Sequence, residues 1–233
     1  MSRRQTAGAV IVAAGESQRM GGMDKVFALL GSKTVLARVV EVFHKCNTIE
    51  QIIVVLSQQN LPAGEKLIAE QGWSKVSVCP GGERRQDSVL AGISRLSPCD
   101  WIIIHDGARP LVTAELIKHG LEAARETGAA VAAVPVTDTI KIARDDGFVQ
   151  ETSPRHKLWA VQTPQVFRFG IITEAYRQIK GEVTDDATLV EQLGHKIKLY
   201  MGSYDNIKVT TSGDLTLAEV CMQRMRQTSL EQA

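Results

Sequence analysis

Short apolar runs alternate along this chain with stretches of helical period, and most of the runs end in a polar, glycine-containing cluster. Residues 9–14, 52–56, 76–79, 101–105 and 129–136 are runs of four to eight, dominated by Val, Ile and Ala. They are too short for ordinary helices, and the run 52–56, all β-branched or Leu, suits a strand buried on both faces. Between them, residues 34–45 place Val35, Val39, Val42 and Phe43 on one helical face, and 65–71, 86–96 and 113–127 read as further helices. Thr113 is the expected N-cap of the last of these, with Glu115 in its positive first turn. Strand–helix alternation of this kind predicts an α/β fold, a mostly parallel sheet covered by helices.

The pattern changes after residue 136. Residues 139–143 and 148–152 read as short polar strands around Arg144-Asp145-Asp146-Gly147, whose Asp-Gly step is a hairpin signal. The segment 137–157 is therefore expected as a β-hairpin arm inserted in the main fold, of a kind that can pack on another subunit. The chain resumes with a strand at 158–167, helices at 170–179 and 184–193, a strand at 197–201, and a last helix. That helix is expected from Gly213 to about Met225, with Ser212 as cap and Asp214 in its first turn. Neither an internal repeat nor a linker interrupts the pattern, so one domain spanning 1–233 with an inserted arm is the expected organisation.

Composition narrows the class. Hydrophobic residues make up 44% of the 233, enough for a sizeable core and against a disordered chain. Lys plus Arg number 27 and Asp plus Glu 26, a balance that disfavours nucleic acid as the partner. No run approaches the ~18 apolar residues of a membrane span. Cys46, Cys79, Cys99 and Cys221 have no metal-ligand spacing and are expected as free thiols. A soluble, cytoplasmic protein is the expectation.

Three polar clusters sit at strand ends, where open parallel sheets bind ligands. The first is Ala13-Ala14-Gly15-Glu16-Ser17-Gln18-Arg19-Met20, closing with Lys25. Its small residues let backbone N–H groups approach an anion, with Arg19 and Lys25 adding charge. It matches neither G-x-x-x-x-G-K-[ST] nor G-x-G-x-x-G, and a basic surface loop is the alternative. The second, Gly81-Gly82-Glu83-Arg84-Arg85-Gln86-Asp87-Ser88, suits close backbone approach to a base or phosphate, or else is a plain turn. The third, His105-Asp106-Gly107-Ala108-Arg109-Pro110, ends a buried strand in a carboxylate. Asp106 there could hold Mg²⁺ or be satisfied by turn amides, and His105 reads as a packed or hydrogen-bonding strand residue. Late in the chain Lys208 lies between apolar residues and needs a partner, a bound phosphate or an ordinary salt bridge.

Taken in order, Ala13-Ala14-Gly15 with Arg19 and Lys25, Gly81-Gly82 with Ser88-Val89, His105-Asp106 with Ala108-Arg109-Pro110, Asp138-Thr139, Thr163-Pro164-Gln165, Thr184-Asp185 and 205–210 form a register. That register resembles the 2-C-methyl-D-erythritol 4-phosphate cytidylyltransferase family from about residue 8 to 220. The resemblance implies a Rossmann-like nucleotidyltransferase fold of three layers, a homodimer joined through the arm, and a step of the non-mevalonate isoprenoid pathway. The implied reaction joins CTP and methylerythritol 4-phosphate with Mg²⁺, releasing pyrophosphate. By the same resemblance Arg19, Lys25, Arg155 and Lys208 are catalytic. Ala13, Ala14, Gly15, Gly81, Gly82, Glu83, Ser88, Asp106 and Gly107 hold CTP. Asp106, Arg109, Thr139, Arg155, Thr163 and Lys208 hold the acceptor, with Thr139 and Arg155 coming from the neighbouring subunit, and Asp106 meets the metal. The chain departs from the family in carrying Asp24 before Lys25 where Pro is common, Gly107 where Ala is usual, and Glu83 where Asp is frequent. Alternatives within reach of the same residues are a ribitol 5-phosphate cytidylyltransferase and a nucleotide-binding protein without turnover.

Overall fold

The computed structural model describes residues 5–15, 24–179 and 181–231. In chain order the described elements are β1 (Ala7–Ala13), β2 (Leu29–Leu30), β3 (Lys33–Thr34), α1 (Val35–Lys45), β4 (Ile49–Leu56), α2 (Leu61–Gln71), β5 (Val76–Pro80), α3 (Arg85–Ile93), β6 (Trp101–Asp106), α4 (Ala114–Thr127) and β7 (Ala129–Pro135). There follow β8 (Lys141–Ala143), β9 (Val149–Thr152), β10 (Trp159–Arg168), α5 (Phe169–Gln178), α6 (Asp186–Gln192), β11 (Lys198–Met201) and α7 (Ser212–Glu231).

Seven strands form one sheet in the order β11-β7-β10-β6-β1-β4-β5. All neighbours run parallel except β10, which is antiparallel to both β6 and β7. Strand alternation sends Ala9 and Ile11 into a core shared with Leu36 and Phe43 of α1 and Leu116 and Ile117 of α4. Val10 on the opposite face belongs to a second core with Val89 and Ile93 of α3, Ile172 of α5 and Leu189 of α6. Both faces of β1 and β6 are thus buried, and this is why their sequences read as continuous apolar runs. The result is the mostly parallel, helix-covered sheet that the alternation predicted, in the three layers that the resemblance implied. No helix among the described residues is long and apolar enough to cross a membrane.

The differences from expectation are local. Helix α2 begins at Leu61, before residue 65, because Pro62 in its first turn has no N–H to lose there. Ser212 is the first helical residue of α7 and not its cap. Thr211 Oγ1 accepts the Asp214 N–H at 3.2 Å while the Asp214 carboxylate accepts the Thr211 N–H at 2.9 Å, a reciprocal cap that the Asp214 signal pointed to one residue off. The helix then continues beyond Met225 to Glu231. Strands β8 and β9 pair only with each other, outside the main sheet. Their turn is closed by Gly147 at φ 83°, the left-handed conformation that the Asp-Gly step anticipates.

Candidate functional site

Having laid β4 and β5 on one side of β1, the chain crosses to lay β6 on the other, so β1 and β6 flank a switch point. Crevices at the carboxyl ends of such strands are where open α/β sheets bind ligands. A cavity of about 990 Å³ lies here, walled by the ends of β1, β4, β5 and β6. A second, of about 440 Å³, is walled by β6, β7, β10, β11 and the start of α6. Both are in the size range of small-molecule sites. Arg85, Asp106 and Lys208 line both and so mark where the two meet.

Ala13, Ala14, Gly15, Lys25, Gly81, Gly82, Glu83 and Ser88 all line the larger cavity. The need for glycine at 81 is steric. A β-carbon there would stand 2.5 Å from that of Ala14 and 2.6 Å from Ser88 Oγ, so Gly81 allows the loops after β1 and β5 to meet. Ser88, buried at the start of α3, accepts the Gly82 N–H at 3.1 Å and so holds the glycine loop in place. Lys25 Nζ reaches over Gly15, 3.8 Å from where a β-carbon would sit. Asp24, the departure from the family pattern, accepts the Val26 N–H at 3.1 Å in the turn that presents Lys25, a role suited to Asp. Gly107 does not line either cavity; it packs against Ala13 and donates its N–H to Val12 O at 2.8 Å. Arg19 lies outside the described residues.

At the junction, Asp106 faces three cations: Lys208 Nζ at 2.9 Å, Arg85 Nε at 3.4 Å and Arg109 Nε at 3.6 Å. Burial works against the charge on Asp106, but Arg85, Lys208 and Arg109 together hold its carboxyl well below the usual range. The Thr163 hydroxyl accepts the Asp106 backbone N–H at 3.0 Å and lies 3.0 Å from His105 Nδ1. His105 Nε2 is 3.2 Å from the Arg109 carbonyl. A carbonyl only accepts, so Nε2 carries the proton and Nδ1 is the acceptor of the Thr163 hydroxyl proton. His105 is fully buried, and burial pushes its pKa down to about 4, in keeping with a neutral ring. Thr163 therefore lines the smaller cavity with its proton already committed and one lone pair to spare.

Lys208 is carried by a loop stitched down on both sides. The buried Asn206 side chain donates to Thr163 O at 2.8 Å, and the Val209 N–H donates to Ala108 O at 2.8 Å. Arg109 Nη1 donates to Asn206 O at 2.7 Å, tying the loop to the end of β6. On the other side of the smaller cavity, Asp185 caps α6 through the Thr188 N–H and accepts Gln165 Nε2 at 2.9 Å.

Two expected residues stand apart. Thr139 and Arg155 are exposed on the arm, line neither cavity of this subunit, and Arg155 Nη1 donates to Thr137 O at 2.7 Å. Conversely, Arg85, Gln165 and Asp186 enter the site without having been assigned a role from sequence. Arg85 sits in the quoted Gly81–Ser88 string, but its partner Asp186 is 101 residues away, and local spacing carries no trace of that pairing.

Comparison with known proteins points to one family. The family model described as 2-C-methyl-D-erythritol 4-phosphate cytidylyltransferase matches residues 7–224. A protein of that name from Dehalococcoides mccartyi is 50% identical over 227 residues, covering 97% of this chain and all of its own length. One from Alkaliphilus oremlandii is 42% identical, covering 94% of this chain and 95% of the relative. Among solved structures, a 4-diphosphocytidyl-2C-methyl-D-erythritol synthase from Anaerococcus prevotii superposes with a TM-score of 0.85 at 29% identity, covering 94% of this chain and 96% of that one.

Proposed function

The chain belongs to the 2-C-methyl-D-erythritol 4-phosphate cytidylyltransferase family, and from that premise we propose that it joins CTP and 2-C-methyl-D-erythritol 4-phosphate into 4-diphosphocytidyl-2-C-methyl-D-erythritol and pyrophosphate. The observation that carries the reading is the meeting of two cavities at one cationic junction. The larger, with its glycine loops, takes the nucleotide; the smaller takes the acceptor, so that acceptor phosphate and α-phosphate come together beside Asp106 and Lys208.

The chemistry asks little of proton transfer. A phosphate monoester has a second pKa of ~6, so at neutral pH the acceptor phosphate is mostly the dianion and needs no general base. Its oxygen attacks the α-phosphorus of CTP, a new P–O bond forms, the bond to the β-phosphate oxygen breaks, and pyrophosphate leaves with that electron pair. Positioning two anions and spreading the charge that builds on them is the catalytic task, and cations and loop amides perform it. Lys25, with Arg19 by family resemblance, serves the triphosphate. Lys208 and Arg109 serve the acceptor phosphate.

Mg²⁺ fits this site in one form. Among the described residues no group of three or more His, Cys, Asp and Glu could hold a metal, and both Asp106 oxygens already oppose cations. That donor set would suit an ion that arrives with the triphosphate and draws most of its ligands from phosphate and water, with Asp106 the described residue that would hold it. When bound it would neutralise charge on the phosphates.

A homodimer joined through the arm is part of the proposal. Ile140, Ile142, Phe148 and Val149 are exposed on the arm, apolar surface that a second copy would cover. Thr139 and Arg155 would then reach the acceptor cavity of the partner. The same reading places the protein in the cytoplasm with its soluble substrates and requires neither nucleic acid nor membrane.

The acceptor favours methylerythritol phosphate over ribitol 5-phosphate on one observation. Val131, Val161, Ile197 and Leu199 wall part of the smaller cavity, apolar surface that suits a C-methyl group, which ribitol lacks. Pyrophosphate release with CTP and Mg²⁺, offering the two acceptors in parallel, tests the assignment. Release with methylerythritol 4-phosphate alone is expected. Release with ribitol 5-phosphate alone would move the function to polyol activation, and silence with both from protein that binds CTP would leave a binding protein.

A further inference from the structure

The three cations around Asp106 are not equivalent. Arg109 is tied to Asn206 O, and its side chain is only 13% exposed. Arg85 is tied outward as well: its Nη1 donates to Asp186 at 2.8 Å, and Asp186 is 1% exposed. The other oxygen of Asp186 accepts the Tyr176 hydroxyl at 2.5 Å. Tyr176 stays protonated, since burial and then the Asp186 charge push its pKa up. Lys208 differs: its side chain is 40% exposed, and the Asp106 carboxylate that holds it lies inside the junction itself.

We infer that Arg85 is a positioning residue for the acceptor phosphate: anchored to buried Asp186, it satisfies Asp106 so that Lys208 can transfer from Asp106 to the incoming phosphate. The inference rests on the functional reading above. Without Arg85, the Asp106 carboxylate would depend more heavily on Lys208 and would compete with the phosphate for it. An arginine is required because two different nitrogens of one planar fork, Nε and Nη1, reach two carboxylates on different elements, β6 and α6. A lysine ammonium is a single point and serves one of them. Arg85 itself stays out of the transfer, because leaving Asp186 would strand a buried charge.

Steady-state pyrophosphate release from the full-length protein tests this. Arg85→Lys should raise KM for methylerythritol 4-phosphate about tenfold, the scale of one charge-assisted hydrogen bond. KM for CTP should stay within about twofold. In a Lys208→Ala background the same substitution should move the acceptor KM by less than about twofold, the range of independent sites, because no lysine remains to be released. If Arg85→Lys does not fold, Arg85→Gln with Asp186→Asn removes one charge of each sign and should show the same acceptor-selective loss. Equal shifts in both backgrounds, or an unchanged acceptor KM, would overturn the inference and leave the enzyme assignment standing. Wild-type protein that turns over no acceptor would overturn the assignment and the inference together.

Discussion

Replacing Thr163 with Val tests the junction at its most constrained point. The two side chains have nearly the same shape, so the change deletes a hydroxyl and little else. That hydroxyl accepts the Asp106 N–H and donates to His105 Nδ1, both at 3.0 Å and both buried. The loss strands a donor and an acceptor. His105 cannot recover by moving its proton to Nδ1, because Nε2 would then face the Arg109 carbonyl without one. Two orphaned buried groups cost together about 4 kcal/mol, within a span of about 2–6. For a chain of this size that is a fall in Tm of about 8–16 °C. Thr163→Ser keeps the hydroxyl and deletes one methyl, at about 1 kcal/mol, or ~2–4 °C. Calorimetric melting of the three proteins reads this directly, and kcat/KM for the acceptor should fall further in the Val variant than in the Ser variant, because the Asp106 backbone is no longer held. A Val variant that melts within about 2 °C of the Ser variant would refute the assigned network.

His105 should also give the protein an acid-sensitive step. Its pKa is about 4 in the folded chain against ~6.5 unfolded, so the unfolded state takes up the proton first as pH falls. The associated stability is complete above pH ~6.5 and is lost as pH falls towards 4, amounting to about 3 kcal/mol. His105→Gln should flatten the dependence of Tm on pH across that window, and an equally steep dependence in the variant would contradict a buried neutral ring. Gly81→Ala should cost about 1–3 kcal/mol through contact with Ala14 and Ser88 and should weaken CTP binding in a calorimetric titration; unchanged CTP affinity would show that the two loops do not frame the nucleotide. Lys25→Ala and Arg155→Ala proteins, each inactive alone, should regain part of their pyrophosphate release when mixed, provided mixed dimers are demonstrated. No recovery in such dimers would place Arg155 in the site of its own subunit.

Much of the molecule is determined locally and is legible in the chain. Strand positions follow from apolar runs, helix starts from residues such as Thr113 and Asp214, and the arm's turn from the Asp146-Gly147 step, because each of these rests on bonds within a few residues. The clusters after β1, β5 and β6 were likewise visible as polar breaks at strand ends, and the fold places their described residues around the switch point. Their partners were not visible. Arg85 could be read only as one member of the Gly81–Ser88 cluster, since Asp106 and Asp186, the two carboxylates that define it, come from β6 and α6. Thr163 looked like a ligand contact, yet its proton is spent on His105, 58 residues away. The antiparallel course of β10 is equally a tertiary matter, as it follows from how the chain returns after the arm. Sequence by itself determined the elements and where their chemistry-bearing ends lie, since short-range bonding and periodicity decide those. Only the tertiary structure decided that one carboxylate would stand among three cations at the meeting of two cavities. Electrostatics and burial act through space, between groups whose separation along the chain carries no record of their contact.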